Sequence, residues 1–276
     1  MTPMSSYRSQ IQKVMGDLAR VQTAASKIQT DYQACTGVAK ASVDNLSTAR
    51  GPLGKALLDD GIKNVAADGA TVRKNVNEAV SRLRTNENRL HSLIGQSQNA
   101  QWQLPRSDQE LQGLALALAG QPAVAALLHQ ARELVQISSS QHQGATRSAG
   151  WARSNAMMGE KELTQCGNAM NAVAADSTGK SVAADAAQVK FRIDNGSPYL
   201  KKQSEFMVDT CTAQGNALLC LQDAQTRLGQ ALEQLPPDQK SLFLSSDQPT
   251  RSPIQRHYET CLQMTHLSRQ IMESDS

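Results

Sequence analysis

Apolar residues recur at alternating steps of four and three along the start of the chain: Tyr7, Ile11, Val14, Leu18, Val21, Ala25, Ile28, Tyr32, Cys35, Ala39, Ser42 and Leu46. That rhythm is the seam of one long helix, and a single apolar stripe must be covered by a partner. Arg50-Gly51-Pro52-Leu53-Gly54 predicts a break, with two glycines for unusual backbone angles and a proline to stop the helix. The rhythm then resumes at Leu58, Ile62, Val65, Gly69, Val72, Val76, Ala79, Leu83, Asn86, Leu90 and Leu93. Two long stripes joined by a short turn predict an antiparallel helical hairpin, with helices over about 4–49 and 55–98. Gly95 and the polar run after it predict fraying there.

The most apolar stretch follows, Leu111 to Ile137. Ser107, with Glu110 three residues on, has the spacing of a capping box just before it. Gly120-Gln121-Pro122 divides the stretch into two helical pieces. The first piece is apolar almost all round and the second turns amphipathic near His129, so Leu111, Leu114, Leu116, Leu118, Val124, Leu127 and Leu128 are the candidate contact residues for a partner or a membrane. Each arm is far below the ~20 residues that span a bilayer, so no ordinary transmembrane helix is expected.

Beyond it, residues 138–150 hold nothing apolar larger than alanine and predict a linker or a weak, exposed stretch of helix, the candidate boundary between two halves. Trp151, Met157, Met158, Leu163, Cys166, Met170 and Val173 predict another helix, ended by Asp176-Ser177-Thr178-Gly179. Val182, Ala186, Val189 and Ile193 mark a short helix, Asp194-Asn195-Gly196 a turn, and Ser197-Pro198 the start of a long helix to Leu235. Ser252-Pro253 opens a final helix with Ile254, Tyr258, Cys261, Leu262, Leu267 and Ile271. The expected fold is therefore all-α, an elongated bundle of long antiparallel helices with coiled-coil-like seams. Its expected organisation is a hairpin plus the apolar pair 107–137 (residues 1–137), a linker (138–150) and a second helical bundle (151–276).

Composition reinforces this picture. The chain carries 29 Gln and 36 Ala but only 9 aromatic residues in 276, which disfavours strands and base-stacking platforms. A net charge of +3, spread along the chain, does not concentrate the basic charge that tracks phosphates, so no nucleic-acid partner is expected. The five cysteines include no CxxC pair and read as reduced core thiols. The N-terminus has no apolar core of signal-peptide length. Synthesis in the cytoplasm is expected, and export by a specialised secretion machine is compatible with the composition.

Candidate chemistry is sparse. Gly179-Lys180-Ser181 has the end of a P-loop, but Ala174 stands where the first glycine is needed. His257 and Cys261 share a helix face, whereas His266 falls on the opposite one, so one helix cannot gather all three around a metal. His91, His129 and His142 stand apart from any nucleophile or carboxylate in sequence, and Asp59-Asp60 and Glu160/Glu162 read as solvated faces. No catalytic, metal or cofactor-binding residue is assigned, no cofactor or small-molecule substrate is expected, and the chain reads as a non-enzyme. Two functions fit: a helical interaction or scaffold protein that engages protein partners or itself, possible effectors included, and a membrane-active protein that uses the 111–128 apolar hairpin. In layout alone the second is similar to α-helical pore-forming cytolysins, which carry an apolar hairpin within long amphipathic helices. An all-helical enzyme is the weakest alternative.

Overall fold

A computed structural model describes residues 4–58, 62–175 and 182–235. The described chain is all-α: α1 (Met4–Leu58), α2 (Ile62–Gln101), α3 (Leu104–Ala117), α4 (Pro122–Thr164), α5 (Cys166–Ala175) and α6 (Val182–Gln234). The final helix expected after Ser252, and the turns expected around Gly179, fall outside the described residues.

The four-three seams are buried. Along α1 every seam position from Ile11 to Leu46 is covered, and the burial continues through Ala49 and Leu53. The break expected at Gly51-Pro52 is absent, since α1 runs through Pro52 to Leu58. Neither Gly51 nor Gly54 takes a left-handed backbone. A proline inside a helix loses one hydrogen bond, but here Leu53 continues a buried seam into a cluster with Leu46 and Ala49.

Of the two readings of 138–150, helix rather than linker is found, since those residues lie inside α4, but its seam is buried rather than exposed. Ser138, His142, Ala145, Ala149 and Ala152 are fully buried and keep the same four-three steps that run from Val124 to Cys166. The seam persists there in small and polar residues, which bring neighbouring helices close and leave no large apolar signal.

The turn expected at Asp194-Asn195-Gly196 is likewise helix, within α6, with Pro198 inside it. Gly196 is a packing position: a Cβ there would sit 3.1 Å from Leu163 Cδ2. Ser197 donates to the Ile193 carbonyl at 2.8 Å, a back-bond to the preceding turn of the kind that bends helices, here beside the proline.

The helix contacts divide the chain into two compact units, and the division crosses the expected domain boundaries. Unit 1 holds described residues 4–31, 94–147 and 208–235; unit 2 holds 32–58, 62–93, 148–175 and 182–207. Each unit therefore draws on α1, α2, α4 and α6, and neither is the N-terminal hairpin alone.

Within unit 1, rising numbers on α1 meet falling numbers on α6. Arg8 Nη2 donates to the Leu235 carbonyl at 2.7 Å, Gln225 Nε2 to Gln22 Oε1 at 2.9 Å and Gln29 Nε2 to the Cys211 carbonyl at 3.2 Å. The two helices are antiparallel. Ser138 on α4 donates to the Ala217 carbonyl of α6 at 2.9 Å, and Gln101 on α2 to the Ser139 carbonyl at 3.4 Å. Ile11, Val14, Leu18 and Val21 of α1 form one apolar cluster with α3, α4 and the end of α6.

Unit 2 repeats the arrangement. Asn86 of α2 donates to the Cys35 carbonyl of α1 at 3.0 Å, and Asn45 of α1 to Glu78 of α2 at 3.3 Å. Ion pairs run along the outside: Arg84–Glu160 at 2.7 Å, Arg153–Glu87 at 3.0 Å and Arg192–Glu162 at 3.0 Å. Leu46, Val72, Val76, Leu83, Leu163 and Ile193 are among the core that these pairs enclose.

Candidate interaction surfaces

The apolar stretch lies in unit 1. It is a tucked helical pair, α3 and the first turns of α4, joined over residues 118–121. Helix α3 begins at Leu104, with Pro105 in its first turn, so Ser107 is not the cap that its spacing implied. Ser107 is instead buried, its hydroxyl reaching back to the Gln103 carbonyl at 3.5 Å. The split expected at Gly120-Pro122 is present, with Pro122 at the first position of α4.

Of the seven candidate contact residues, Leu111, Leu114, Leu118, Val124 and Leu128 are buried. They pack in one cluster with Ile11, Leu18, Leu221 and Leu228, and half-buried Leu127 leans on it. Leu116 alone points outward, 67% exposed. The other six candidates form a core plug or lean on it, while Ile137 at the end of the stretch is exposed. Two ion pairs fasten its start: Lys13–Glu110 at 2.8 Å and Arg132–Asp108 at 2.9 Å. The Lys13 hydrogen bond holds the Glu110 carboxyl below its ordinary range; partial burial opposes this, and Arg106 adds to the lowering. From Leu111 to Ala131 there is no charged side chain, so the outer face of the pair is Leu116 among small or uncharged residues such as Ala117, Ala119 and Ala123.

A second surface was not singled out by the sequence. Of the aromatic residues described, only Tyr32 is fully buried; Trp102, Trp151 and Phe191 are exposed. Several gather on the α4–α6 pair of unit 2. The Trp151 and Phe206 rings lie 5.2 Å apart in a tilted contact. Met158 is two helical turns beyond Trp151 and exposed, and half-buried Tyr199 is two turns before Phe206. Because the two helices run antiparallel, these four side chains form one strip. The available signal was the seven-residue step on each helix, 151 to 158 and 199 to 206, carried by aromatics and methionine.

Buried polar groups are the third feature. Gln29, Ser138, His142 and Gln214 lie in the core of unit 1, and Ser42, Asn86 and Gln203 in that of unit 2. His142, isolated in sequence, is bonded to Gln214 at 2.9 Å. Cys35, Cys166 and Cys211 are buried and Cys220 is half-buried. Burial is the main reason that the Cys166 thiol is pushed up to about 12, and burial also raises Cys220. A thiol that resists ionisation is a poor nucleophile.

Among the described residues, no three His, Cys, Asp or Glu side chains come together as a metal site. The Gly179-Lys180-Ser181 and His257/Cys261/His266 groups lie outside those residues. No described helix is long and apolar enough to cross a membrane.

No protein-family model matches the chain, and no curated protein matches it. Among solved structures, the Bacillus cereus HblL1 toxin component is similar at 13% identity, over 85% of this chain and 74% of that one, with a TM-score of 0.29. At that score the likeness adds nothing to what the helices themselves establish.

Proposed function

We propose that this chain is a non-enzymatic helical interaction protein that binds a partner helix across the α4–α6 strip of unit 2. The observation that carries the reading is where the aromatics are. A chain with only 9 aromatic residues exposes Trp151 beside Met158 and leaves Phe206 and Tyr199 half-buried next to them, while alanine, leucine and valine fill its core. Aromatic residues and methionine are enriched where proteins meet, and anchors of this type carry most of the binding energy. Lys201 and Lys202 are exposed nearby in sequence and give the strip a polar border.

Replacing Trp151, Met158 and Phe206 together by serine removes the anchors from a surface position. Partner association in an extract of the producing cell, followed by size-exclusion chromatography, is expected to weaken at least tenfold. The melting temperature should stay within a few degrees, because the strip lies outside the core. Unchanged association contradicts the reading.

A second reading has one specific observation in its favour: Leu116 stands exposed in a stretch with no charge from Leu111 to Ala131. An uncharged face with a protruding leucine suits shallow contact with a lipid surface. Dye release from liposomes tests it, with Leu116→Asp as the variant that removes the contact.

A further inference from the structure

His142 sits on α4 in unit 1 with none of its surface exposed. Its Nδ1 lies 2.9 Å from Gln214 Oε1 on α6. The other end of that amide, Gln214 Nε2, donates to the Ala25 carbonyl of α1 at 3.1 Å. A backbone carbonyl only accepts, so the amide nitrogen must face Ala25 and the amide oxygen must face the histidine. That oxygen needs a donor, which assigns the proton to Nδ1. Its Nε2 is buried with no partner, so a second proton there would have no acceptor and burial keeps the ring neutral.

The surroundings hold nothing that welcomes a cation. Gln214 faces the ring from α6; from α1 it meets the Ala25 carbonyl through that same amide. On its own helix, Thr146 donates to the His142 carbonyl at 2.9 Å and pairs with Ser97 of α2 at 3.0 Å. Burial lowers the affinity of the ring for a second proton, the Gln214 bond partly opposes this, and no carboxylate or cation among the described residues contributes.

We propose that the His142–Gln214 layer is an acid-sensitive latch for unit 1. Neutral, the imidazole joins α4 to α6 and, through the amide, to α1. Protonated, it places an uncompensated charge and a second N–H without an acceptor in the core, so the helices part there before the rest of the chain unfolds.

The direction follows from linkage. A histidine held below its ordinary value of 6.5 binds its proton more readily in the opened state than in the closed one. The closed state is therefore fully favoured above pH 6.5 and loses ground as pH falls below it. One proton shifts the opening equilibrium by at most about tenfold per pH unit.

Hydrogen exchange of the full chain at pH 7.5 and pH 5.5, corrected for intrinsic rates, tests this. Peptides covering 138–146 and 210–218 are expected to lose several-fold protection at the lower pH, whereas unit 2 peptides covering 156–163 keep theirs. In the paired variant His142→Leu with Gln214→Leu, the acid loss in unit 1 should disappear. The proposal is overturned by equal loss in both units, by no loss in unit 1, or by a paired variant as acid-sensitive as the parent chain. The contrast between units in the parent chain needs no variant, so it decides the matter even where the substitution prevents folding.

Discussion

Leu111→Asp is expected to unfold unit 1, while Leu116→Asp, five residues away on the same helix, leaves it intact. Leu111 is completely buried among Leu18, Leu221 and Leu228, whereas Leu116 is 67% exposed. Removing the first side chain forfeits about 2–3 kcal/mol of apolar burial. The carboxylate adds an unpaired buried charge, worth several kcal/mol more. Together these approach the whole stability of a domain, about 5–15 kcal/mol. The exposed substitution falls in the class that changes stability by about 0.5 kcal/mol or less. Circular dichroism and urea unfolding of the two variants check the contrast. Equal effects would mean that α3 presents a different face to unit 1.

Gly159→Val is expected to be the most damaging conservative change in unit 2. A Cβ at Gly159 would meet Leu200 Cδ1 at 2.6 Å, with Leu83 Cδ1 and Tyr199 Cβ both at 3.6 Å. Leu200 and Leu83 are themselves fully buried, so neither can swing aside into solvent. Overpacking of this kind costs about 1–3 kcal/mol for an added methylene group or two, and valine adds a branched three-carbon side chain. We expect a loss of about 3 kcal/mol. Gly229 provides the control: nothing lies within 4 Å of a Cβ there, so Gly229→Ala should gain up to about 1 kcal/mol from helix propensity alone. Thermal melts of the two variants should move in opposite directions, and a stable Gly159→Val would show that α4 and α6 are less closely packed than described.

The same glycines show what the sequence made legible and what it hid. Where the seam was anchored by leucine, valine and isoleucine, as at Ile11, Val14, Leu18 and Val21, the pattern of steps located the helix and its buried face. Cys35, Ala39 and Ser42 remain legible because large apolar positions bracket them; a longer run of small or polar positions, as from Ser138 to Ala152, carries no such bracket. Ser138, His142, Ala145 and Ala149 kept the spacing, but without bulk they resembled a linker. Gly196 and Pro198 resembled a turn because their commonest uses are turns, whereas Gly196 makes room for Leu163.

Pairing partners were the harder problem. A seam states that a helix needs cover but not which helix supplies it. Local hairpin reasoning paired α1 with α2 alone, while the structure also places α6 against α1 in both units, as the Gln29–Cys211 and Arg50–Ser197 contacts record. Residues 182 positions apart in the chain meet in the first of these, and no local pattern encodes that.

The candidate contact residues were partly legible. Their apolar character was evident, but whether they served a core or a surface depended on the packing of α1 and α6 over them. The Trp151–Phe206 strip went unseen because each aromatic looks like core material on its own helix. Only the antiparallel pairing of α4 with α6 brings the two rings to 5.2 Å on one outer face.

Dye release from liposomes tests most directly the claim that the large apolar side chains of the 111–131 stretch, Leu116 apart, serve the core and that the chain acts through protein contacts. At pH 7.4, neutral and anionic vesicles loaded with a self-quenched dye should release none of it when the chain is added, and Leu116→Asp should behave identically. Release by the parent chain that Leu116→Asp abolishes, with its fold unchanged, would contradict the account and make the α3–α4 pair a lipid-contacting element.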